Sequence, residues 1–243
     1  MLRFLFVFAA LFVAPVLKAQ DAPPPPPLVG KIEGRTYVSP SGMFKVTIPV
    51  LPELGGDVTD TPNVVTFQDD FNVHVSIATF PQDATQRWEM STRGLKDYLT
   101  YFFANFVLAD FKQNFEGVQI ESAKFLPTFL DGSLIAFMLV PNGSMFANRI
   151  PNLGTSDRVT VAKRGNLLFV RNGHIFVIST ELAERAIEGK AYSKTTAQED
   201  EILQQRLDEI IGKMQFAKAP ASVPAALAPA PTPAPAPAPA PKK

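Results

Sequence analysis

Arg158 to Thr180 reads RVTVAKRGNLLFVRNGHIFVIST. Arg164-Gly165 and Asn172-Gly173 interrupt three strand-like stretches within it, and Asn-Gly is a favoured two-residue hairpin turn. The segment predicts a three-stranded antiparallel meander, because connections this short leave no room for parallel crossovers. Upstream, Val118 to Leu126 and Ser133 to Val140 are strand-like runs parted by Asp131-Gly132, and the second has the near-continuous apolar character of a central strand. Downstream, Thr196-Ala197-Gln198-Glu199 reads as a capping box. It opens a helix whose apolar stripe is Leu203, Leu207, Ile210, Ile211 and Met214.

Further back, Phe44, Val46 and Ile48 alternate up to Pro49, and Val73, Val75 and Ile77 alternate up to Pro81, as half-buried strands do. Shorter strands are expected at Tyr37 and over Val64 to Gln68, with Asp69-Asp70-Phe71-Asn72 turning the chain. A helix capped by Ser91 or Thr92 carries Leu95, Leu99, Phe102 and Phe106 on one stripe, widened by Tyr98, Phe103 and Val107. This order of strands, helix, strands and helix predicts an α+β domain: a mostly antiparallel sheet flanked by two helices, an αβα sandwich.

Arg3 precedes an apolar run from Phe4 to Val16, and Leu17-Lys18-Ala19 ends it on a small residue, the pattern of a signal peptide over 1–19. The run falls short of the about 20 apolar residues of a membrane helix, and Pro15 interrupts it. Membrane association is expected only if this leader is retained as an anchor. A proline-rich linker over 20–33, containing Pro23 to Pro27, a single globular domain over 34–217 and a disordered Pro/Ala-rich tail over 218–243 complete the organisation. The tail reads as a solvated linker, or as a spacer whose Lys242 and Lys243 touch an anionic polymer.

The chain has no cysteine, so no disulfide staples it after export and stability must come from its core. Lys and Arg number 23 against 23 Asp and Glu, and removal of Arg3 and Lys18 with the leader leaves a net charge near −2. Nucleic-acid binding through a basic face is not indicated.

Tyr37 to Pro49 reads YVSPSGMFKVTIP, an aromatic strand, a small turn, then Gly, Phe and a strand closing on Pro. This resembles the opening of PsbP-like and Mog1-like domains, and the final helix followed by Met214-Gln215-Phe216 resembles how they end. The resemblance implies an αβα sandwich serving as a binding or assembly module, with no functional residue to carry over.

Reactive constellations are scarce. His74 and His174 are the two histidines, both expected as solvent-facing strand residues, and no G-x-S-x-G, S-x-x-K or H-E-x-x-H occurs. Neither phosphate-binding glycine loop occurs, so no nucleotide cofactor is indicated. Glu53, Asp57, Asp60, Asp69 and Asp70 form an acidic stretch without EF-hand spacing, read as a solvated loop or a weak cation site. The aromatic residues Tyr98, Tyr101, Phe102, Phe103 and Phe106 either pack on the sheet or line a pocket or partner surface. Pro141 to Ser156 is long for a structureless connection and carries Met145, Phe146, Ile150 and Leu153. It is either a packed flap or a partner or ligand contact made by Met145, Phe146 and Arg149. The function expected is that of an exported, non-enzymatic binding or envelope-accessory domain, partnered by another envelope protein or a cell-wall polymer. The alternatives are an exported hydrolase with an unrecognised site and a membrane-anchored domain.

Overall fold

Asn172 and Gly173 take left-handed φ values of 51° and 71°, the pair that a type I′ turn requires. The computed structural model, which describes residues 27–146 and 160–218, places them in the turn between its longest strand and the strand that follows it. In chain order the strands are β1 (Lys31–Glu33), β2 (Thr36–Val38), β3 (Phe44–Thr47), β4 (Asp57–Asp60), β5 (Val64–Gln68), β6 (His74–Pro81), β7 (Gln119–Leu126), β8 (Ser133–Pro141), β9 (Val161–Arg171), β10 (His174–Glu181) and β11 (Met214–Phe216). The α-helices are α1 (Ala84–Arg93), α2 (Leu95–Phe102), α3 (Leu108–Asn114), α4 (Ala183–Ile187) and α5 (Thr196–Gly212), with a π turn over Phe103–Val107 between α2 and α3. The leader, Pro23 to Pro26, most of the Pro141 to Ser156 connection with Arg149, and the Pro/Ala-rich tail lie outside the described residues.

A large antiparallel sheet is ordered β4-β5-β6-β10-β9-β8-β7, and a small one is ordered β1-β2-β3-β11. One face of the large sheet buries Phe67, Ile77, Phe137, Phe169 and Phe176 against Leu203 and Leu207 of α5 and against Tyr37, Phe44 and Val46 of the small sheet. The other face buries Leu134, Met138, Leu168 and Val177 against Tyr98, Leu99 and Phe102 of α2 and Leu108 of α3. The result is the α+β, αβα architecture expected, with the small sheet sharing one outer layer with α5. Both faces of the central strands are covered, which is why β8 reads as almost continuously apolar.

Arg164-Gly165 is not a turn: β9 runs unbroken through it, so Arg158 to Thr180 holds one hairpin rather than a three-stranded meander. Gly165 marks a close approach instead, since a Cβ there would stand 3.1 Å from the Leu203 side chain and 3.4 Å from the Phe137 ring. Ser91 and Thr92 do not cap a helix. They lie in the last turn of α1, which opens on a capping box between Asp83 and Gln86, whereas α2 begins after Gly94 with no side-chain cap. The box opening α5 is Thr195 with Gln198, one residue earlier than read, and Met214 leaves the helix to pair with Val46 in the small sheet.

Candidate ligand cavity

The helix-facing side of the large sheet is ordered in rows across the strands. Val64, Ala78, Val177, Leu168 and Leu134 are successive register partners and form an apolar row. The next row is Thr66, Ser76, Ser179, Asn166 and Ala136, polar but uncharged over four strands. Beyond it, Gln68 pairs with His74 and Glu181 with Arg164, a row of ionisable groups.

Over the first two rows a cavity of about 460 Å³ opens beneath the α2–α3 layer, within the size range of small-molecule sites. Its floor is Val64, Ser76, Ala78, Phe80, Val177 and Ser179; Gln86, Phe102, Phe106, Val107, Asp110 and Phe111 make the walls and roof. The roof owes its shape to the π turn. Leu108 donates its N–H to the carbonyl of Phe103, five residues back, so the chain is one residue wider there than an α-helix and Phe106 is carried outward to 48% exposure. Phe102 and Phe106 stack with centroids 4.8 Å apart, and Phe80 meets Phe102 at 6.3 Å. Both readings of the aromatic helix therefore hold for different residues: Tyr98, Phe102 and Phe103 pack in the core, while Phe102 and Phe106 also line a cavity.

At the polar end, Ser179 Oγ donates to Asn166 Oδ1, and Asn166 Nδ2 donates to the carbonyl of Ala136 at 3.3 Å. The ionisable row behind is closed by the start of the Pro141 to Ser156 connection. Glu181, fully buried, accepts from Ser144 Oγ at 2.6 Å and from the N–H of Met145 at 3.0 Å. Arg164 lies 3.4 Å from Glu181, donates to the carbonyl of Gly143 at 3.0 Å and stacks over Phe111, 5.0 Å from its centroid. The Gln68 amide holds the carbonyl of Met145 at 3.2 Å. Phe146 is buried in this closure and Met145 is 39% exposed.

His74 is not solvent-facing as expected but buried, in the row of ionisable groups that the start of the Pro141 to Ser156 connection closes over. Burial, and then the nearby positive charge of Arg164, push its imidazole down to about 3, and Nδ1 has no partner among the described residues. His174 is half-buried at the opposite end of β10, with Nδ1 at 3.0 Å from the carbonyl of Asn172.

A second buried cluster lies on the other face. Lys163 is surrounded by Glu121, Glu199 and Asp200, and Arg185 binds both oxygens of Glu199 at 2.7 and 2.9 Å. It ties the start of α5 to β9 and β7, with the buried ammonium of Lys163 met by three carboxylates and Glu199 shared between Lys163 and Arg185. In the acidic stretch, Asp60 accepts from the N–H groups of Val29 and Gly30 and from Tyr37 Oη, and Asp69 Oδ1 accepts from three successive N–H groups of its turn. These two carboxylates organise loops. Among the described residues no group of three or more His, Asp or Glu is placed to hold a metal ion.

Sequence reasoning missed Ser76, Ser179, Asp110 and the pair Arg164–Glu181. The available signal was a small polar residue within two largely apolar strands, Ser76 half-buried in β6 and Ser179 buried in β10.

No family model matches the chain, and no curated protein matches it in sequence. Among solved structures, cyanobacterial PsbP from Synechocystis sp. PCC 6803 is similar at a TM-score of 0.46 and 12% identity, over 78% of this chain and 99% of that one. The Ran-binding protein Mog1p of Saccharomyces cerevisiae is similar at a TM-score of 0.44 and 10% identity, over 78% of this chain and 96% of that one. A Bacteroides thetaiotaomicron protein is similar at a TM-score of 0.39 and 11% identity, over 77% of this chain and 50% of its own, so this chain spans half its length. These are similarities of chain trace, at TM-scores of 0.46 or less and 12% identity or less.

Proposed function

We propose that the chain is an exported, non-enzymatic binding domain that holds a small, largely apolar molecule between its large sheet and the α2–α3 layer. The cavity carries this reading, since it joins apolar walls to a few placed polar groups, the composition of ligand sites rather than of packing defects. The chemistry around it favours holding over bond-making. An imidazole pushed down to about 3 and buried beside a guanidinium is a poor general base at neutral pH. Export rests on the leader-like sequence over 1–19.

Two measurements test the reading. An apolar fluorescent dye is expected to bind the purified protein and to lose binding in Ala78→Phe, which fills the cavity floor, with the melting temperature unchanged or raised. Dye binding that survives in a folded Ala78→Phe protein would place the ligand elsewhere. For export, the intact mass of protein recovered from outside the cytoplasm is expected to lack Met1 to Ala19; a retained leader in the membrane fraction would mean an anchor.

A further inference from the structure

The polar end of the cavity has a direction. The carbonyl of Ala136 can only accept, so the Asn166 amide turns its NH2 toward it and its Oδ1 toward Ser179. Ser179 must then spend its single proton on Asn166 Oδ1, and what the hydroxyl has left to offer is lone pairs. Asp110, at the mouth, adds a carboxylate, and no residue of the lining is a cation. Arg164, the cation of the ionisable row behind, stacks on Phe111, pairs with Glu181 and donates to the Gly143 carbonyl. Polar groups inside a site reject a ligand that cannot answer them. A carboxylate head would find no cation and would face the Asp110 carboxylate and the lone pairs of Ser179, with only the neutral donors Ser76 Oγ and Gln86 Nε2 to answer it; an ammonium would meet Asp110 and the hydroxyl oxygens.

Taking the cavity as a ligand site, as proposed above, we infer that it selects amphiphiles with a hydrogen-bond-donating head, a primary amine above all, and excludes fatty-acid-like anions. The apolar row Val64–Ala78–Val177 takes the chain, and Ser179 with Asp110 takes the head. Asp110 acts across the mouth and not deep in the interior, so its contribution to the preference is moderate and salt-sensitive.

The test uses the full purified chain and three decyl probes, decylamine, decanol and decanoate, competing with the bound dye at pH 7 and low salt. Decylamine is expected to displace the dye at least about fivefold more tightly than decanoate, with decanol between them. In Asp110→Asn the gap between decylamine and decanoate should shrink while decanol affinity stays as it was. Decanoate binding as tightly as decylamine would overturn the head-group inference and leave the apolar cavity standing. Failure of all three probes, together with failure of the dye, would overturn the ligand reading and this inference with it.

Discussion

His74 and Phe146 show how much a single side chain's surroundings decide. The unfolded chain carries His74 at an ordinary value of 6.5, while the folded protein holds it near 3. Between those two values the unfolded state binds a proton that the folded state does not, so the stabilisation is complete above pH 6.5 and drains away as pH falls through the window. Relative to His74→Gln, the native protein is expected to lose about 2 kcal/mol of unfolding free energy between pH 7 and pH 5, read by urea titration at each pH. A constant difference would mean that His74 titrates normally. Phe146 lies 1% exposed and its neighbour Met145 39%. Phe146→Ser is therefore expected to cost about 3–5 kcal/mol, and Met145→Ser less than about 1 kcal/mol. If instead both leave the melting temperature alone and abolish capture of an envelope partner, the segment is a recognition surface. None of this was legible one residue at a time. The alternation Val73, Val75, Ile77 correctly marked one buried face of β6, but a pattern of period two says nothing of whether the other face meets water or a second layer.

At the scale of elements, the legible ones are those whose burial is one-sided or total. The Asn172-Gly173 hairpin, the apolar β8 and the stripe of α5 from Leu203 to Ile211 are where their patterns put them, while Met214 at the end of that stripe belongs to β11. Helix α1 escaped notice because none of its residues is buried, leaving no apolar period to read and only the Asp83–Gln86 capping box as a signal. Gly165 misled for the opposite reason: glycine signals both a turn and a close approach, and here α5 lies across the strand. Gly165→Val is expected to destabilise by about 1–3 kcal/mol through overpacking against Leu203 and Phe137, seen as a lower urea midpoint with unchanged slope. A neutral result would show that α5 yields easily and that the glycine is incidental.

For the whole molecule, the division of labour follows the two faces of the large sheet. The side under α5 and the small sheet is filled with aromatic rings, Phe169 stacked on Phe176 at 5.0 Å with Phe216 edge-on to both, and is locked at one end by Lys163 and its carboxylates. The side under α2 and α3 is ordered from carbon to hydroxyl to charge and left partly open. Ser76, Ala78 and Asp110 line the cavity side and none belongs to the aromatic cluster on the other face, so substitutions there are expected to reach the cavity without touching that cluster.

The π turn at Phe103–Val107 gives that opening a peculiar dependence on chain length. A helix holding one surplus residue is relieved by removing it, and Ala104 is exposed and free to go. Its loss would let the hydrogen bonds close at the ordinary spacing, and because the five residues of the π turn cover nearly the rotation that four cover in an α-helix, α3 beyond it would keep its facing. Phe106, inside the bulge, would be drawn back from its outward position, while Asp110 would stay at the mouth. The depth of the site is thus tied to one residue of surplus length, and its charge is not.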